Sequence, residues 1–242
     1  MVAEAKREGP VPLEAIAYFE AKRIEPNLDL SSSWAEEHDA AFTIAGILEV
    51  DLLSHVKQAV DRAITEGTTL AEFKKQVGPK LQASGWASPP GEKVPPYRLK
   101  LIYDTNLRQA RAAGQWQRVQ RTKAALPYLI FTSTSSLRPR PEHQALVGTI
   151  LPADDPWWDL HYPPIGYSCK HGVRQISARE AESRGGTSQI PEEAEVTWTL
   201  PDGRTKTLPE SVHPSFDFIP GKGTNRQDAL SDLLEQKRAE AS

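Results

Sequence analysis

Four side chains able to bind a metal fall between positions 143 and 171: His143, His161, Cys169 and His171. A thiolate with imidazoles suits zinc. Cys169-Lys170-His171 puts two such ligands one residue apart, which a turn can present together, although structural zinc sites more often space them by two to four. Asp154 or Asp155 would complete the set. The same residues allow other chemistry. Cys169 would act as a nucleophile if His143 or His171 served as its base and its pKa were depressed. Glu142-His143 with Cys169 and His171 would serve a metal-dependent nuclease or other hydrolase. Equally, Cys169 reads as a small buried hydrophobe and the histidines as hydrogen-bonded scaffold. No complete catalytic constellation stands out; no cofactor is expected, and zinc is the metal these residues would suit if one bound.

Around these residues the chain is rich in rigid and aromatic groups. Arg138-Pro139-Arg140-Pro141 holds two guanidiniums on a stiff backbone, because proline fixes φ. They suit bracing against Asp154, Asp155 or Glu142, or clamping a partner's carboxylates or phosphates. Trp157 and Trp158, with Pro163-Pro164, read as a loop core or as an interface anchor. Gly221-Lys222-Gly223-Thr224 lacks the earlier glycine of a phosphate loop and the strand before it.

The net charge of −3 hides an asymmetry. Between Tyr97 and Arg140 lie Arg98, Lys100, Arg108, Arg111, Arg118, Arg121, Lys123, Arg138 and Arg140 against the single acid Asp104, a net +8 between flanks of −5 and −6. Such a block either pairs with its acidic flanks or forms a surface for DNA phosphates or an acidic partner. With 242 residues the chain suits one large domain, and one Cys excludes an internal disulfide. No run reaches the ~18 apolar residues of a membrane span, and the first residues lack an apolar signal core. A soluble protein made inside the cell is expected.

The elements that would position these groups read as α+β: a helical N-terminal half, a small loop-rich β-containing subdomain, and a C-terminal helix. Residues 1–33 are expected to form a loosely ordered arm, with one short helix in which Ala15, Ile16 and Phe19 make the apolar stripe. The helical region covers 34–125. Ser33 would cap a helix ending near Gly46. A second helix runs from about Glu49 to Glu66, burying Leu52, Val56, Ala59, Val60 and Ala63, and Gly67 ends it. Thr69 and Glu72 form a capping box for a third, which Gly78-Pro79 should interrupt or kink. Residues 87–96 read as a stiff connector. A long helix from about Pro96 to Arg121 turns Leu99, Ile102, Tyr103, Leu107 and Ala110 inward, and exposes Arg108, Arg111, Arg118 and Arg121 on a shared face. The subdomain covers 126–222, with strands at 128–132 and 173–176 and a hairpin about Asp202-Gly203. Residues 223–242 form the tail helix, with Leu230, Leu233 and Leu234.

The motif order resembles a known family: Arg140-x-Glu142-His143, Asp155-Pro156-Trp157, Pro163-Pro164-x-Gly166, Cys169, the Val173-Arg174 strand and Phe216-Asp217-Phe218-x-Pro220-Gly221. Earlier stretches share it: Pro12 to Phe19, Glu37-His38 through Thr43, Glu66 to Thr69 with Phe73, Gly85-Trp86, and Tyr103 to Leu107. Over residues 12–238 the chain is similar to the minor head proteins of Mu-like bacteriophages, the F-like head-morphogenesis family. It departs from the family's Cys-x-Cys with Cys169-Lys170-His171. The resemblance implies a structural protein of few copies rather than an enzyme. It would bind the portal or major capsid protein and adjoin packaged double-stranded DNA, with no membrane and no small-molecule substrate. Its place would be inside the head or at the portal vertex, and in the host cytoplasm during assembly. A metal-dependent hydrolase or a non-catalytic DNA-binding module is the alternative.

Overall fold

The computed structural model describes residues 12–26, 39–86, 92–134, 136–199 and 203–223. Helix α1 (Leu13–Glu20) opens after Pro12, whose carbonyl accepts the amides of Ala15 and Ile16 at 2.9 and 3.0 Å. Ala15, Ile16, Ala17, Tyr18 and Phe19 are all buried, since α1 packs against two later helices. Helix α1, within the expected loose arm, is therefore core. An element buried on several faces is held by packing, which a single apolar stripe does not reveal. The Tyr18 hydroxyl adds a 2.8 Å bond to the buried Asp39 carboxylate.

Of the helix expected from Ser33 to Gly46, the described part is helical only at Asp39 and Ala40 and does not continue to Gly46. Arg23–Ile24 (β1) and Ala41–Phe42 (β2) instead pair in parallel. Phe42 is buried edge-on to Phe19, ring centroids 5.7 Å apart, and Phe-Thr-Ile suits an extended backbone. Ser33 itself lies outside the described residues.

Helix α2 (Val50–Thr65) buries the expected residues together with Leu53 and Ile64, and Gly67 follows it at φ +81°. Helix α3 (Leu70–Ala83) carries the capping box: the Glu72 amide donates to Thr69 Oγ1 at 3.3 Å, and the Thr69 amide donates to Glu72 Oε2 at 2.7 Å. Pro79 sits inside α3 without ending it. Proline crowds the Cβ of the residue before it, but that residue is Gly78, with nothing within 4 Å of its missing Cβ. Buried Leu81 then anchors the final turn.

Helix α4 (Pro96–Thr122) has 27 residues, so it is about 40 Å long. Leu99, Leu107, Ala110 and Ala113 belong to the core built with α1, α2 and α3. Ala112, Trp116 and Val119 belong to a second core with the β region. Gly114 lies where α1 crosses: a Cβ there would stand 3.1 Å from the Ala15 backbone nitrogen.

The second core is built on an antiparallel sheet of order β4-β3-β5: β3 (Tyr128–Thr132) lies between β4 (Ile150–Pro152) and β5 (Gly172–Ile176). β3 and β5 match expectation, whereas β4 was too short to read. Three short helices decorate this sheet: α5 (Pro141–Gln144), α6 (Trp158–His161) and α7 (Ala178–Ser183). The hairpin pairs β6 (Glu195–Thr199) with β7 (Thr205–Pro209), Thr197 opposite Thr207. Its described residues are mostly exposed: among them Leu208 is the one buried apolar side chain, and Lys206 pairs with the buried Asp217 carboxylate. Residues 200–202 of its turn and the expected tail helix lie outside the described residues. The architecture is α+β.

Candidate functional site

A cleft of about 300 Å³ opens beside α4 where the β region meets it. Lys100 and Asp104 reach it from α4. Arg138 and Arg140 come from the Pro-stiffened loop after β3, and His143 from α5. Ser168, Cys169, Lys170 and His171 come from the loop before β5. Residues read separately along the chain thus converge on one concavity. Lys170 and Ser168 had not been singled out; the only signal for them was adjacency to Cys169 and His171.

The loops are built to hold these groups. Arg140 Nη2 donates to the Tyr167 carbonyl at 2.9 Å, rather than pairing with Asp154, Asp155 or Glu142. Asp154 instead accepts from Lys123 at 2.8 Å, and Asp155 accepts the Trp157 amide at 2.9 Å. The turn passes close under Arg140 because position 166 is glycine: a Cβ would stand 3.1 Å from Arg140 Nη1. Tyr167 is fixed in turn between the rings of His213 and Phe216, at 5.0 and 4.8 Å. Ser168 adopts φ +60° at the bend that presents Cys169.

Three of the four proposed metal ligands, His143, Cys169 and His171, line the cleft. The His143 and His171 rings stand 5.7 Å apart. His143 is buried, and its pKa falls from 6.5 to about 4, chiefly by burial and then by the Arg140 guanidinium. The His171 Nδ1–H donates to the Thr132 carbonyl at 3.0 Å, while its Nε2 is enclosed without a hydrogen-bond partner. Cys169 is buried, and burial pushes its thiol pKa up despite backbone hydrogen bonds and nearby arginines. A thiol held protonated is a poor nucleophile.

His161 is not part of this group. Its ring stacks on Trp157 at 4.2 Å, with Nδ1 2.9 Å from the Trp157 carbonyl and Nε2 2.8 Å from Glu193 Oε1. Both nitrogens are engaged, which leaves none for a metal. Among the described residues, no three His, Cys, Asp or Glu side chains stand together as a ligand set. The sequence brought His161 near in number; the fold carries it to the far side of the Trp pair.

Trp157 and Trp158 are buried, with ring centroids 4.8 Å apart, and the Trp158 indole donates to the Pro152 carbonyl at 2.9 Å. They pack the second core rather than facing outward as anchors. The basic face of α4 is likewise divided. Arg118 and Arg121 meet Glu14 of α1 at 3.9 and 2.6 Å. Arg98 lies over the Trp86 ring at 4.6 Å. Arg108 is half-buried, whereas Arg111 is exposed. The cleft collects Lys100, Arg138 and Arg140 of the basic block, while Arg108 and Arg111 stay on α4 outside it.

Residues 54–173, a span that includes every residue lining the cleft, match the family described as Phage Mu protein F like protein. The chain is 34% identical over 185 residues to the F protein of Escherichia phage Mu, named for capsid assembly; the match covers 72% of this chain and 42% of that protein. It is 31% identical over 169 residues to the Mu-like prophage FluMu F protein of Haemophilus influenzae, covering 65% of this chain and 41% of that protein. The chain spans less than half the length of these curated relatives. No solved structure gives a significant match. The order of motifs along the chain and these matches agree: the chain carries a domain of the Phage Mu protein F-like family over residues 54–173.

Proposed function

We propose that this protein is a structural component of a tailed-phage head, needed during head assembly and transforming no substrate. It docks on the portal or major capsid protein, with packaged double-stranded DNA as a further neighbour inside the particle. The observation that carries the reading is the similarity over 72% of the chain to a phage Mu protein named for capsid assembly. The cleft chemistry is compatible with it: a thiol whose pKa is raised and an imidazole whose pKa is lowered do not make a nucleophile–base pair. The test is deletion of the gene in its phage, with mass spectrometry of purified heads from the parent. The protein is expected in parental heads, and its loss is expected to stop the formation of DNA-filled heads. Full-yield, filled heads from the deletion strain would overturn the reading.

A further inference from the structure

The cleft gathers positive charge that the rest of the fold does not balance. Lys100, Arg138, Arg140 and Lys170 converge from α4, the loop after β3 and the loop before β5. One acid, Asp104, lines the same space, and it pairs with Lys100. Near the end of α4 and just after it, Arg118 and Arg121 meet Glu14, and Lys123 meets Asp154. Among the described residues, neither Arg138 nor Lys170 has a carboxylate partner. Like charges brought into one concavity repel, so an anion bound between them is the natural complement.

The donors also specify which anion. A carboxylate presents two oxygens in one plane. A phosphate ester presents several oxygens in a tetrahedral spread, which matches guanidinium forks and an ammonium approaching from different loops. Arg138 and Arg140 alternate with Pro139 and Pro141, so their spacing is set before any ligand arrives. Gly166 is the position at which a side chain would crowd Arg140 Nη1.

We infer that this cleft binds the phosphate group of a nucleic-acid strand or a free nucleotide. The inference deepens the reading of DNA as a neighbour and rests on it for the ligand's presence. It fails separately, because binding is measured on purified protein and assembly in particles.

The experiment is fluorescence anisotropy of the purified full chain with a short labelled DNA strand, competed with unlabelled strand, adenosine monophosphate, inorganic phosphate and an oligoglutamate peptide. The Arg138→Ala/Lys170→Ala variant removes two exposed side chains without carboxylate partners, so its fold is expected to persist, and circular dichroism checks it. Arg111→Ala, exposed on α4 outside the cleft, is the control. The double variant is expected to weaken binding about tenfold and to reduce the log–log salt slope by about two, with Arg111→Ala close to wild type. Displacement by unlabelled strand alone assigns a nucleic-acid backbone. Displacement by the nucleotide or by phosphate assigns a free phosphate ligand. The inference is overturned if the wild type binds neither strand nor nucleotide. Equal loss in the double variant and the control, or displacement by oligoglutamate alone, also overturns it.

Discussion

At the residue scale, the environment of His143 makes a prediction with a definite sign. Burial and the Arg140 guanidinium lower its pKa to about 4, with His171 adding to the effect and Glu142 opposing it. In the unfolded chain the imidazole takes its proton near 6.5. The folded protein takes it only near 4, so between these values the unfolded state binds more protons. The stabilisation is complete above about pH 6.5 and is lost as pH falls toward 4. His143→Gln removes the titrating group, and the fall in Tm over this window should become shallower; equal slopes for both proteins would contradict the assignment. The presence of His143, His171 and Cys169 was legible in the sequence, and so was their chemistry. Which of them meet was not. His161 lies between them in the chain, yet its bond to Glu193 is made with a residue 32 positions away.

At the scale of elements, two contacts that no local pattern announces hold the fold. The first is the crossing of α1 over Gly114. An alanine there would improve helix propensity by about 1 kcal/mol. Its Cβ, however, would meet the Ala15 backbone nitrogen at 3.1 Å, in a turn tied by the Ala15 amide to the Pro12 carbonyl. Overpacking against backbone costs roughly 1–3 kcal/mol, so Gly114→Ala is expected to destabilise on balance, measured by urea unfolding. A more stable variant would show that α1 can shift. The second contact is Lys206 with Asp217, whose carboxylate is fully buried. Lys206→Met removes a cation from beside a buried charge and should cost about 2 kcal/mol, partly recovered by adding Asp217→Asn. Failure of the second change to recover stability would place the effect elsewhere. The capping box of α3 was readable because both partners lie within three residues. β2 was not, because its extended backbone is set by pairing with β1 and by the Phe19 ring.

For the whole molecule, α4 is the member shared by two cores, with Leu107 and Ala110 in one and Trp116 and Val119 in the other. Asp39 adds a long tie: its carboxylate accepts from the Tyr18 hydroxyl and, at 3.0 Å, from the amide of Gly221. Both cores should therefore unfold together. Denaturation followed by tryptophan fluorescence and by far-ultraviolet circular dichroism should give coincident curves, and Trp116→Ala should lower stability by about 3 kcal/mol while keeping them coincident. Separate midpoints in the wild type would mean that α4 does not couple the two halves. The division of charge has the same origin. A basic block was visible along the chain, but Glu14 reaches Arg121 across 107 positions, and contacts of that range decide which of its cations are balanced.

The amino-acid sequence alone determined what short-range forces decide: the capping box of α3, the apolar faces of α2, α3 and α4, the β3 and β5 strands, and the motif order that marks the family. These depend on propensity and on spacings of a few residues, which are written locally in the chain. Tertiary structure decided that α1 is core and that Pro79 is tolerated. It also decided that His161 serves Glu193, and that Lys100, Arg138, Arg140 and Lys170 face one space. Those outcomes depend on which distant segments exclude water together, and packing of that kind has no signature in any single window of sequence.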